Sequence, residues 1–507
     1  MLAVFLSPIY LLFQAYILLW LYAWADSCSP ALHSLFFRIP VTVLYLFFAV
    51  SPLTGFLITK EPLHHFLRVI SNYWLGTLEY ILLFIITFDV IRRVTGHSFF
   101  MKYRYPAMLH TMPKNLVIFG GFAIALILSV SVYGVLHARR VYVRHDPVVI
   151  EKSSSLPGPR IALIADLHLG YNSTKSHVRT IVDDINREHV DLVCIAGDLF
   201  DNDYDAIRDP DGVADILSGL KSRYGTYACW GNHDVNEKIL AGFTFPQKEK
   251  IVRDERFSEF LARADITMLE DETVLIDDTF YLTGRRDKEM AHKEQLPRKT
   301  FSEITEPLDH SRPIIVMDHE PRELSEAADS GVDLDLSGHT HDGQMFPANI
   351  VVHFLWENAC GVLKKGSMTS VVTSGAGVWG PAMRVGTDEK TLPDYFRSVY
   401  NESLHPGGYI PNSLPNVRPL MSPSVVCYTL SGHKQFLFLQ YANCIHPFVS
   451  KIQSSPSFLQ LSKPLLPRQP DEGTKDNPHL PVYYRIPSTY RPVYPLAMIR
   501  IPVPSLS

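Results

Sequence analysis

Five short stretches of the chain carry oxygen and nitrogen donors of the kind that bind metal ions. They are Asp166-Leu-His168, Asp198, Asn232-His233-Asp234, Asp318-His319 and His339-Thr-His341. A lone histidine is more often a satisfied structural residue than a ligand, but here the donors recur in one pattern. The set combines carboxylate, amide and imidazole with no thiolate, a mixture that suits manganese, iron or zinc better than calcium or magnesium. There are too many donors for one tetrahedral ion. Two metals about 3.5–4 Å apart, sharing one bridging carboxylate, fit the number.

Each stretch follows a short apolar run. RIALIAD (160–166), DLVCIAGD (191–198), GTYACWGNHD (225–234), PIIVMDHE (313–320) and VDLDLSGHTH (332–341) read as buried strands ending in polar residues. Between the first two, Val178, Ile181, Val182 and Ile185 keep helical spacing. Strands alternating with helices predict an α/β domain whose ligands gather at the carboxyl ends of the strands. In extended chain, residues i and i+2 point to the same side, so Asp166 with His168, and His339 with His341, are each expected to share one centre. Any single one of these residues could be an ordinary turn residue beside Gly197, Gly231 or Gly338. Five strand ends bearing ligand types together argue for one site.

Asp166-Leu-His168, Gly197-Asp198, Gly231-Asn-His-Asp234, His319 and Gly338-His-Thr-His341 resemble, in order and spacing, the signature of calcineurin-like metallophosphoesterases. GHTHDGQ, DHEP and an apolar N-terminus narrow the resemblance to membrane-associated members. It covers about residues 158–386 and implies a four-layer α/β/β/α sandwich. It also implies a metal-dependent phosphoric ester hydrolase with two divalent ions, in which metal-bound hydroxide attacks a mono- or diester in line. By the same resemblance Asp166, His168 and His341 would hold one ion and Asp198 would bridge. Asn232, His319 and His339 would complete the second site, and His233, oriented by Asp234, would serve the leaving group. The chain has Asp342 where relatives often have glycine. That carboxylate would orient His341, repel an anionic substrate or cap a following helix.

The rest of the chain sets the context. Leu2–Ala25, Val41–Ile58, Tyr73–Ile91 and Leu116–Leu136 are long and apolar enough to cross a bilayer, so residues 1–140 are expected to be a four-span membrane region. The loop between the last two spans carries Arg92, Arg93, Lys102, Arg104 and Lys114, which places the catalytic part outside the cell or in a lumen. Asn172 and Asn401 would then be glycosylation acceptors. Glu79 and Asp89 fall within the third span; Asp89 is expected to pair with Arg92 and Arg93, and Pro52 to kink the second span. Residues 141–157 read as a linker and 158–386 as the catalytic domain. Residues 387–507, with 18 of the 36 prolines, read as a largely irregular extension lacking the usual closing strand, although 425–430 and 435–441 could pair.

A net charge of −5 without a basic stripe gives no nucleic-acid signature, and six cysteines without CxxC spacing make neither a zinc finger nor a disulfide framework. The expected partners are membrane lipids and a phosphate-ester substrate, lipid-linked esters being attractive because the domain is tethered. Two other readings are a non-catalytic scaffold on a membrane anchor, and a channel or transporter with a regulatory domain. The first would be expected to have lost ligands, and none is lost; only Glu79 and Asp89 favour the second.

Overall fold

The computed structural model describes residues 2–99, 113–152, 158–240, 243–244, 251 and 253–398. Asn401, the two candidate strands at 425–441 and the remainder of the proline-rich extension lie outside the described residues. So do Lys102 and Arg104.

The apolar N-terminal sequence forms four helices, α1 (Leu2–Cys28), α2 (Leu35–Leu57), α3 (Leu63–Phe99) and α4 (Pro113–His137). All four are long and apolar enough to cross a membrane, over Ser7–Cys28, Leu35–Leu57, Leu63–Ile91 and Leu116–His137. The second and third helices begin six and ten residues before the expected spans, and α2 runs through both Pro40 and Pro52. Asp89 accepts a hydrogen bond from Tyr16 of α1 at 2.5 Å, so a neighbouring helix supplies a partner for it. The side chains of Arg92 and Arg93 are outside the described ones.

Two sheets follow. The first contains β1 (Val141–Val143), β2 (Asp146–Ile150), β3 (Arg160–Ile164), β4 (Leu192–Ala196), β5 (Thr226–Cys229), β8 (Ile266–Met268) and β15 (Glu389–Ser398). Between β5 and β8, β6 (Ile239–Leu240) and β7 (Phe243–Thr244) form a small hairpin. The second sheet runs β13-β14-β12-β11-β10-β9, with β9 at Glu272–Ile276, β10 at Phe280–Gly284, β11 at Ile314–Met317, β12 at Leu334–Ser337, β13 at Gly361–Lys365 and β14 at Met368–Val372.

The central strands β3, β4 and β5 pair in parallel, as do β10, β11, β12 and β14. Parallel strands covered on both faces need apolar residues at every position, and Ile161–Ile164 and Leu192–Ala196 supply them. Leu163, Cys194, Leu282, Met317 and Leu336 meet between the two sheets. Helices α5 (Lys175–Arg187), α6 (Pro210–Leu217) and α7 (Glu255–Arg263) cover the outer face of the first sheet, α5 burying Val178, Ile181, Val182 and Ile185. Phe301 and Leu324, on two short helices, cover the second. This is the expected four-layer sandwich.

Two expectations fail in this region. Residues 141–150 supply strands rather than linker. The closing strand expected to be missing is present beyond Gly386: β15 pairs antiparallel with β3 and parallel with both β1 and β2.

Candidate metal centre

Every donor sits one to five residues past the end of its strand, so the loops, not the strands, aim it. Asp166, His168, Asp198, His339, His341 and Asp342 all have positive φ, between 43° and 70°. Such a backbone costs a non-glycine residue roughly 1 kcal/mol or more and persists only where its surroundings over-determine it. The left-handed turns also undo the i, i+2 expectation. His339 turns toward His319 and Asn232 (3.3 and 3.0 Å from its Nδ1), whereas His341 turns toward His168 (3.0 Å between Nε2 atoms). Asp166 and His168 do come together, with His341.

Three overlapping groups of donors lie within 4.8 Å among the described residues: Asp166, His168 and His341; Asp198, His319 and His339; and His168, Asp201 and His233. Asp198 stands between the first two, its Oδ2 at 3.0 Å from His319 Nε2 and 3.7 Å from His168 Nε2. Asn232 Oδ1 lies 3.1 Å from His319 Nε2, closing the second group. The site is dry: Asp166, His168, Asp198, Asn232, His319 and His341 are buried, with His233 and His339 half-buried at its edge.

Contacts behind the donors fix their orientation. His319 Nδ1 meets the Ala196 carbonyl at 2.8 Å, which makes Nδ1 the protonated nitrogen and leaves Nε2 facing inward. Asp201 lies 3.5 Å behind His168 Nδ1. The His339 amide donates to Asp166 at 3.0 Å, and a Cβ at Gly338 would approach the Asp166 carboxylate to 2.7 Å, so only glycine lets that loop close. Gln344 bonds the Trp379 amide and the Trp379 and Pro381 carbonyls at 2.9 Å, tying the end of GHTHDGQ to the loop that bears Trp379.

The electrostatics suit cation binding. Burial pushes the His339 and His233 imidazoles down, to about 3 and about 4. Burial, His168 and Arg384 together push His341 well below its usual range. Neutral imidazoles are ligands; protonated ones are not. Burial alone would raise the Asp198 carboxyl, but the neighbouring His319 and His233 outweigh it and hold it well below the carboxylate range. Burial would lower His319 and His168, but Asp198, with Asp201 beside His168, holds both above the usual imidazole range, so a cation bound there would displace their protons.

Three site expectations change. Asp234 does not orient His233: its carboxylate accepts from the amides of Phe200 and Gly231 at 2.8 and 2.7 Å, joining two of the ligand loops. His233 Nδ1 meets Asn202 Oδ1 instead. Asp318, beside His319, belongs to an ion-pair network with Arg285 and Arg298 at 3.0 and 2.6 Å. Asp342 neither caps a helix nor touches a donor. It sits in a left-handed turn and pairs with His353 at 2.9 Å.

Asn202 and Arg384 were not legible as site residues. Asn202 lies in a cluster of acids after Asp198, and a lone arginine near the end of the domain carries no motif. Arg384 is fully buried, donates to the Ser374 and Gly377 carbonyls at 2.8 and 2.7 Å, and approaches His341 Nδ1 to 3.5 Å.

Residues 159–343 match the family model of calcineurin-like phosphoesterases. A metallophosphoesterase of Helicobacter pylori is 31% identical over 48% of this chain, which spans 61% of that relative's length. A protein of Danio rerio described as transmembrane protein with metallophosphoesterase domain is 28% identical over 66% of this chain and 74% of its own length. Its Bos taurus namesake is 25% identical over 76% of this chain and 86% of its own.

Proposed function

We propose that this chain, a membrane protein carrying a calcineurin-like metallophosphoesterase domain, is a hydrolase of phosphate mono- or diesters. The observation that carries the proposal is the position of Asp198, within reach of both donor groups. Asp166, His168 and His341 would hold one divalent ion, and Asn232, His319 and His339 the other, with manganese, iron or zinc matching the donors. When bound, the ions supply positive charge to phosphoryl oxygens and make water easier to deprotonate.

The chain's own residues do the rest. His233 gives its Nδ1 side to Asn202, leaving Nε2 as the atom that holds or passes a proton at the leaving oxygen. Asp234 keeps the Asp198 and Asn232 loops in register. Trp379 and Trp356, with ring centroids 5.8 and 5.0 Å from His233 and His339, wall the site against water. We also place the domain on the extracellular or lumenal side, with Arg92, Arg93 and Lys114 toward the cytoplasm. Asn172 is a poor reporter of that topology. Its amide donates to Gly380 at 2.8 Å and its oxygen accepts from Asn72 of α3 at 3.2 Å.

The test is the full chain reconstituted with manganese, zinc or iron and assayed on aryl phosphate mono- and diesters, with bound metal measured in parallel. Metal-dependent turnover supports the proposal. About two ions bound without turnover would overturn the hydrolase and leave a scaffold. Labelling of the domain in intact cells by a membrane-impermeant reagent tests the orientation.

A further inference from the structure

The loop that leaves the second histidine of the cradle leads into an apolar helix. Residues Ala348–Leu355 read ANIVVHFL, and the helix has almost no polar face. Outside the four long helices, nine large hydrophobic side chains are exposed among the described residues, and five of them fall in this one stretch: Phe346, Ile350, Val351, Phe354 and Leu355. Phe354 is 85% exposed and Leu355 73%. A folded domain seldom leaves such a concentrated patch to water.

The patch is continuous with the membrane-spanning helices. Met345, next to Phe346, is buried in a cluster with Met383, Tyr80 of α3, and Val130 and Val135 of α4. The Phe346 amide donates to the Val385 carbonyl at 2.8 Å, and the Arg384 amide to the Gly134 carbonyl at 3.0 Å. Gly134 and Val130 lie three and seven residues inside the end of α4, about 5 and 10 Å at 1.5 Å per residue. The apolar loop therefore meets α4 below its end, within the depth that an interfacial helix occupies.

The same helix borders the centre. Trp356, immediately after it, edges onto His339 with ring centroids 5.0 Å apart, and His353 on it pairs with Asp342 beside His341.

We propose that residues 346–355 dock into the lipid leaflet that α1–α4 cross, so that the mouth of the centre opens at the headgroup layer and its substrate is a phosphate ester carried on a lipid. The docking stands on the patch and its continuity with α3 and α4; the substrate class rests in addition on the hydrolase reading.

The experiment uses the full chain in phosphatidylcholine nanodiscs. With p-benzoylphenylalanine in place of Phe354, irradiation is expected to add a phosphatidylcholine mass to the peptide containing residue 354, while the same probe at Leu275, on the far edge of the second sheet, adds none. A cross-linked second copy, or no adduct, overturns the docking. The substrate class is read with two 4-methylumbelliferyl phosphodiesters that differ only in a methyl or a hexadecyl chain. Wild type should favour the hexadecyl ester at least about ten-fold, and Phe354→Asp or Leu355→Asp should abolish that preference while leaving the methyl ester within about two-fold. Equal turnover of the two esters by wild type overturns the lipid substrate even where the adduct forms. Turnover of neither diester overturns the lipid substrate as read here, and if 4-methylumbelliferyl phosphate is not turned over either the hydrolase reading falls with it, while the adduct still decides the docking.

Discussion

The metal cradle and the seam against α3 and α4 are neighbours in the chain but are held by opposite means. Met383 packs into the seam, against positions where Gly76 and Gly134 carry no side chain. Arg384, the next residue, is turned inward behind His341 and donates to three surrounding carbonyls. In the cradle the donors are fixed by directed polar contacts and, at Asp166, His168, Asp198, His339 and His341, by left-handed backbone turns. In the seam the fit is one of shape, apolar and close. The cradle should thus fail at single atoms, and the seam only by added volume.

The largest expected effect is at Asp198. Asp198→Ala removes the carboxylate that lies 3.0 Å from His319 and 3.7 Å from His168, and should lower metal-dependent hydrolysis by at least about 10³-fold, with loss of bound metal. Turnover within ten-fold of wild type would show that the two groups do not work as one centre.

Gly338→Ala comes next. Its Cβ would press on the Asp166 carboxylate, so a single methyl group should cost about 10²-fold in turnover. A small change there would mean that the loop yields as the seam does.

Gly134→Leu probes the other side. A Cβ at Gly134 would already lie 2.9 Å from Val385 and 3.1 Å from Met383, so the longer side chain should force the 381–387 segment off α4. Hydrogen exchange in that segment should rise at least about ten-fold, while turnover of a soluble ester stays within about three-fold. Equal losses in both readouts would erase the contrast between the regions.

The smallest effect is in the ion-pair network beside His319, where Arg285 and Arg298 join Glu323 to Asp318. Burial would raise the Glu323 carboxyl, but Lys288, Arg298 and Arg285 hold it at about 2, below its ordinary 4.5. Its contribution to stability is therefore full above pH 4.5 and fades as the pH falls toward 2. Glu323→Gln should flatten part of the fall in melting temperature over that window, with metal content unchanged.

What could be read from the sequence follows the same division. Buried parallel strands need unbroken apolar runs, so β3, β4, β5, β11 and β12 were legible, and with them the donors just past their ends. The turns were not. Nothing in the spacing of His339-Thr-His341 announces left-handed backbone at both histidines; only the resemblance assigned the two to different ions. Asn202 could not be told from Asp234 as the partner of His233, because both lie in short polar loops and only their packing separates them. The seam depends on shape, which leaves no periodic mark. Proline density concealed β15, in which Pro393 falls between the residues that pair with β1 and those that pair with β2.

The placement of β15 also bears on how the chain matures. Strands β1 and β2, the first to emerge after α4, pair with β15 and with no other described strand; Val141 faces Glu389 and Ile150 faces Ser398. Some 250 residues must therefore be synthesised between making one edge of the first sheet and making its partner. At roughly 5–20 residues per second that is tens of seconds, during which the four apolar helices can enter the bilayer while the first sheet remains open. Closure of the first sheet therefore follows the synthesis of all four apolar helices.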